Sequence, residues 1–325
     1  MLDAAQFAKI PFLNHAELPG RTLFSTLFFD GEWHAWIEAG NQLLPSQMWP
    51  AEAMYFGKAP EQETDICLHF LDMIGQRLNY LPVGRLFFGL QDDVFNLSAS
   101  LAKIRLLHRT RKEHKTGVSR MVATEVEYLH GVCRSIFDLW QDVMVIIWDS
   151  ITLVDTSVKK QQLKQRYRQM VFSDNTLRTV EEIVERFPGL PPPLAECYVR
   201  SGHFFADLRK FRDRIVHQGA GVDIIFDGED DFLIGEARVP FREMNIWQEK
   251  ERQPNALVPL MPALGFVIYR TLETCDDFSR TMEGVFKLQP PLVPHFHILL
   301  RGYFNEELVR ALKNIHQRLV PKTQT

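Results

Sequence analysis

Three residues near the middle of the chain, Arg212, Asp213 and His217, carry the side chains best suited to chemistry. An imidazole can gain or lose a proton near neutral pH, and a guanidinium keeps its charge in any surroundings. Asp213 and His217 are four apart, so on a helix they share one neighbouring face. The stretch Leu208-Arg209-Lys210-Phe211-Arg212-Asp213-Arg214-Ile215-Val216-His217-Gln218-Gly219 reads as the last turns of an amphipathic helix closed by a glycine cap.

That helix is expected to begin near Leu194, after Pro191-Pro192-Pro193. Wound at about 3.6 residues per turn, Leu194, Cys197, Phe204, Phe205, Leu208, Phe211, Ile215 and Val216 fall on one arc. Arg212 falls inside it, at roughly 340° with Phe205 at zero. A charge on an apolar face must find a carboxylate, backbone carbonyls or an interface. The expected carboxylate is Glu125, on the margin of the long apolar stripe that runs from Ser119 to Val154 with Ser119 as its N-cap. In a purely structural reading Arg212 is buried against Glu125. His217 then sits at a helix C-terminus, where the dipole favours a cation by about 0.3–1 kcal/mol.

Arg212, four residues and then His217, on a hydrophobic helix ending in glycine, resembles the motif of the HEPN superfamily. The polar Asp213 after the arginine and the preceding long helix extend the resemblance over residues 118–220. It implies a mainly α fold, a helical bundle of HEPN type, here with small β-hairpin additions. It also implies a metal-independent endoribonuclease working at a dimer-interface cleft, as in toxins and phage-defence effectors. His217 would then be general base or acid on a ribose 2′-hydroxyl or leaving oxygen, and Arg212 would hold the scissile phosphate. Asp213 would orient the imidazole. Neither metal nor cofactor is called for. The implied partners are RNA, a second copy of the chain and an antitoxin protein. Arg212 and His217 stand about 140° apart round an ideal helix, so the helix end or a second copy must bring them together. The alternative is a non-catalytic helical module that binds RNA or protein.

Two basic runs fit a polyanion. Lys103, Arg105, Arg109, Arg111, Lys112, Lys115 and Arg120 surround one helix junction. Lys159, Lys160, Lys164, Arg166 and Arg168 form the other, with Tyr167 among them as a ring on which a base could stack. A solvated helix face explains such runs as well. The net charge is −4, so polyanion binding must come from local patches. His295 and His297 would share one strand face, without a third metal ligand nearby in sequence. Gly219-Ala220-Gly221 lacks the spacing of a phosphate loop.

The 325 residues, 46% hydrophobic and 24% charged, fit a globular protein. Four widely spaced cysteines point to buried thiols in a reducing cytoplasm, and no run reads as a membrane span. Three segments follow: a β-hairpin (21–39, turning at Asp30-Gly31) and irregular lead-in over 1–60, a helical core over 61–220, and a hairpin (222–234) with C-terminal helices over 221–325. Helices are expected over 61–80, 92–114, 119–154, 158–172, 175–187, 194–218, 257–287 and 305–319, and a strand over 296–300.

Overall fold

The long apolar stripes become helices in a computed structural model that describes residues 4–23, 26–47, 51–78, 80–114, 116–153, 157–218, 221–222, 224–242 and 244–319. In chain order the helices are α1 (Ala4–Phe7), α2 (His69–Arg77), α3 (Leu81–Thr110), α4 (Val118–Ser150), α5 (Tyr167–Val171), α6 (Val180–Arg186), α7 (Pro192–Gln218), α8 (Leu260–Val285) and α9 (Asn305–Leu319). The strands are β1 (Thr26–Phe29), β2 (Glu32–Ala39), β3 (Gln42–Ser46), β4 (Ala53–Gly57), β5 (Phe172–Ser173), β6 (Thr176–Leu177), β7 (Phe226–Asp227), β8 (Phe232–Gly235), β9 (Leu257–Pro259) and β10 (His297–Arg301).

α3 and α4 form an antiparallel hairpin, and α4, α7 and α8 pack against one another. Along α4 the stripe from Val122 through Trp140 to Ile147 is buried, because three and four residue steps keep it on the inner face. Trp140 meets Phe70 of α2 edge-on at 5.8 Å and Phe278 of α8 at 6.3 Å. The body is therefore helical, but it is joined to a mixed five-stranded sheet in the order β10-β4-β1-β2-β3. β1 and β4 run parallel and the other neighbours antiparallel.

The β1–β2 hairpin turns at Asp30-Gly31, both at positive φ (52° and 80°), as the dipeptide demands. Phe24 and Ser25, within the expected first strand, lie outside the described residues. The irregular lead-in expected up to residue 60 instead supplies β3 and β4. The helix expected over 61–80 starts only at His69. Asp65 takes the backbone N–H groups of Glu61 and Gln62 into a turn, and Ile66 pairs with Leu300. The strap 157–166 stays non-helical, since its backbone carbonyls serve α4: Trp148 Nε1 donates to Gln161 and Gln141 Nε2 to Lys164. The helix expected from 175 begins at Val180, where Thr179 and Glu182 form a capping box, and β5–β6 occupies the residues before it. α3 starts eleven residues earlier than expected, after Tyr80 with Pro82 in its first turn, and α4 is preceded by Gly117 at φ 90° rather than capped by Ser119. Val154, the expected end of α4, lies outside the described residues.

The boundaries drawn at 60 and 220 do not separate packing units. β10, near the C-terminus, pairs with β4, and α8 completes the bundle of α3, α4 and α7. One buried apolar cluster runs from Ile10 to Leu308. α2 lies so close to the sheet that a Cβ at Gly75 would collide with Ile298 Cδ1 and stand 3.1 Å from Phe87 Cζ. Gly75→Ala is accordingly expected to lower stability by about 1–3 kcal/mol, read from chemical denaturation, despite alanine's better helix propensity.

Candidate functional site

α7 positions the motif. Leu194, Tyr198, Phe205 and Leu208 are buried along it, and Phe211 packs edge-on against His130 of α4 at 4.7 Å between ring centroids. Arg212, at the centre of the same arc, is nevertheless 53% exposed. An arc is buried only where another element lies over it, and near residue 212 the contact has swung round to the side of Phe211. Arg212 therefore does not pair with Glu125. That carboxylate receives Lys103 Nζ at 2.7 Å and Ser100 Oγ at 2.9 Å. The Arg212 guanidinium instead lies 3.6 Å from its neighbour Asp213, whose other oxygen is 3.3 Å from Arg209 Nε. His217 is exposed one turn further on. Gly219 and Ala220, the expected cap, and the side chain of Val216 lie outside the described residues.

His130 underlies this turn. It is fully buried, its Nδ1 is 2.8 Å from the Val126 carbonyl, and its Nε2 has no hydrogen-bond partner among the described residues. Burial pushes the imidazole down to about 4, against the smaller opposing effect of that hydrogen bond. In the unfolded chain the ring takes up a proton near 6.5, so the unfolded state binds more protons between those values. Stability is thus lost as pH falls from about 6.5 to about 4, by roughly 3 kcal/mol from this ring. His130→Leu is expected to flatten that acid limb, measured as urea midpoints at pH 7 and pH 4.5.

The basic runs divide. Arg105 and Arg109 reach Glu307 at 3.6 and 3.8 Å, Lys103 is held by Glu125, and Arg111 is ion-paired to Asp227 while donating to the Gly228 and Glu229 carbonyls. Lys112 and Arg120 are exposed, and Lys115 lies outside the described residues. In the second run Lys160 donates to the carbonyls of Trp148 and Ile151 at 2.5 and 2.6 Å, closing the C-terminal end of α4. Lys159 is exposed. Tyr167 cannot stack on a base here: it is 0% exposed, hydrogen-bonded to Ser201 and ringed by Phe137, Phe205 and Tyr198. The run is not one helix: Lys159 to Arg166 lie on the strap, and Tyr167 opens the short α5, which packs against α4 and α7.

Lys164 and Arg168 line a hollow of about 240 Å³ together with Arg178 and Arg186, which sequence reading did not single out. Those two come from different elements, so no run of charge marks them. A second hollow, about 510 Å³, lies where α2, α8 and β10 meet and gathers His69, Asp72, Glu283, His295 and His297. His297 Nδ1 is 3.2 Å from Asp72, and His69 bridges Ser279 (2.7 Å) and Glu283 (3.1 Å). The Ser279–His69–Glu283 set presents no nucleophile, because Ser279 is fully buried. Among the described residues no three His, Cys, Asp or Glu side chains come together to hold a metal ion, and no helix is long and apolar enough to cross a membrane. Comparison with protein-family models, curated proteins and solved structures finds no match.

Proposed function

We propose that this chain is a metal-independent endoribonuclease of HEPN type whose cleft forms between two copies across the ends of α7. The observation that carries the reading is that Arg212 and His217 are exposed, with Asp213 half-buried between them, within the last two turns of a helix whose Phe211 is buried against the body. Such a turn is open to substrate or to a second copy. Residues five apart diverge by about 140° round one helix, and a two-fold axis near the helix end offers each arginine a histidine from the other copy.

In the proposed reaction the ribose 2′-oxygen attacks phosphorus and the bond to the 5′-oxygen breaks. A His217 imidazole takes the 2′ proton, and a proton is returned to the departing 5′-oxygen from protonated His217. The products are a 2′,3′-cyclic phosphate and a free 5′-hydroxyl. Arg212 neutralises charge on the non-bridging oxygens, and Asp213, paired with Arg209 and Arg212 rather than with His217 as its expected role required, holds that guanidinium in place. An antitoxin protein that covers the α7 ends, and a role as toxin or phage-defence effector in the cytoplasm, belong to the same proposal.

A rival reading takes its support from the Arg212–Asp213 ion pair, which already satisfies the guanidinium within its own chain. In that reading the motif is structural and the protein binds RNA or another protein without cutting. The two are separated by incubating single-stranded RNA with the wild type and with His217→Ala, alongside the solution mass of each. Cleavage by the wild type alone, from a dimer, supports the enzyme; intact RNA with both, or a monomer, supports the module.

A further inference from the structure

Four cations from separate stretches of chain surround one hollow: Lys164 on the strap, Arg168 in α5, Arg178 after β6 and Arg186 at the end of α6. Among the described residues the one carboxylate in the lining is Asp174. Among the described residues none of the four lies within ion-pair distance of an acid, and the Nε of Arg178 is buried without a hydrogen-bond partner. This sets them apart from Lys103, Arg105, Arg109 and Arg111, each of which is held by a carboxylate of this chain. Positive charges converging on one hollow repel one another, and an anion with several oxygens offsets that repulsion. Planar guanidinium forks match phosphate oxygens in particular.

The hollow is not isolated from the motif. Its lining includes Phe172, and the Arg209 guanidinium stands 5.8 Å from the centre of that ring. Arg209 in turn grips Asp213, which holds Arg212. A tract of cations with one aromatic face thus leads from the hollow to the end of α7. A repeating polyanion that carries bases fits such a tract better than a single small phosphate does.

We infer that this hollow binds a backbone phosphate of single-stranded RNA, away from the bond that is cut, and so feeds the strand towards Arg212 and His217. The identity of the ligand rests on the ribonuclease reading; the uncompensated charge of the hollow does not.

The test uses the full chain carrying His217→Ala, so that RNA stays intact, and follows the anisotropy of a labelled single-stranded RNA over a range of salt. Adding Arg168→Ala and Arg178→Ala is expected to weaken binding roughly tenfold. It should also make the slope of log affinity against log salt shallower by about 1.4, two contacts at about 0.7 each on single strands. Arg310→Ala, a surface charge outside both basic runs and already held by Glu306 and Glu307, serves as the control and is expected to change neither. Should the double variant melt early, Lys164→Gln with Arg186→Gln makes the same test. Affinity and slope equal to the parent, or a loss matched by Arg310→Ala, would overturn the inference, as would a preference for a phosphorylated peptide over RNA. If the wild type never cuts RNA but the hollow variants lose binding, the ribonuclease reading falls and the hollow stands. If the wild type cuts and the hollow variants bind as the parent does, only the hollow falls.

Discussion

His217→Ala is expected to lower RNA cleavage by a factor of roughly 10²–10⁴, the usual contribution of a positioned general acid or base, with an unchanged thermal midpoint. The second half of that statement makes the test clean. His217 is exposed and makes no hydrogen bond among the described residues, so its removal leaves no buried group unsatisfied. Exposed substitutions of that kind change stability by about 0.5 kcal/mol or less. Arg212→Ala removes the charge facing the phosphate and is expected to cost about 10²–10³ in rate. Arg212→Lys restores little, because a point charge does not reproduce a two-pronged contact. If the three residues act as one unit, Arg212→Ala combined with His217→Ala will be hardly slower than either alone. Additive losses would instead mean that the two residues act at separate places, which contradicts a shared cleft. Comparable cleavage by wild type and His217→Ala, in preparations free of contaminating nuclease, would end the enzymatic proposal.

The helix that bears the motif was legible because its signals are local. Pro192 in its first turn and apolar residues at three and four residue steps are written within one segment. What lies over that segment is not. The angular position of Arg212 is the same as that of the buried Phe205 to within about 20°, yet one meets solvent and the other Phe137. Periodicity gives the direction of a side chain and is silent on whether a neighbour extends far enough to cover it. The same gap applies to Tyr167, whose burial depends on the short α5 packing between α4 and α7. It also hid the partner of Glu125, since Lys103 reaches it across a helix hairpin. The five-stranded sheet was beyond local reading for a related reason. Its β4–β10 pairing joins residues more than two hundred positions apart, and β4 alone is a five-residue apolar run among prolines and glycines. The hollow of Lys164, Arg168, Arg178 and Arg186 is assembled in the same non-local way.

The β4–β10 junction also carries the largest expected loss of stability: Arg301→Ala should cost about 3–5 kcal/mol. Arg301 ends β10 and is buried, its Nε and a terminal nitrogen 3.0 and 2.8 Å from the two oxygens of Asp65, which is itself buried. The same guanidinium contacts Glu61 and lies over Trp33, 4.7 Å from the ring centre. Removing it leaves the Asp65 carboxylate with the Tyr55 hydroxyl at 2.7 Å and two backbone N–H groups, but without a counter-charge. Burial already pushes the Asp65 carboxyl above the ordinary carboxylate range, and loss of the arginine pushes it further. A folded state that holds a proton more tightly than the unfolded chain gains stability as pH falls. The deficit of the variant should therefore be larger at pH 7 than at pH 4.5, and Asp65→Asn in the Arg301→Ala background should recover part of it at neutral pH. Arg301→Met with Asp65→Leu, which replaces the pair by apolar volume, is expected to lie closer to wild type than either single change, because desolvating the charges offsets much of their attraction. Urea melts of the five variants decide the matter. A deficit under about 1 kcal/mol that does not change with pH would mean that water reaches the pair and that the junction is held by its strands and apolar packing alone.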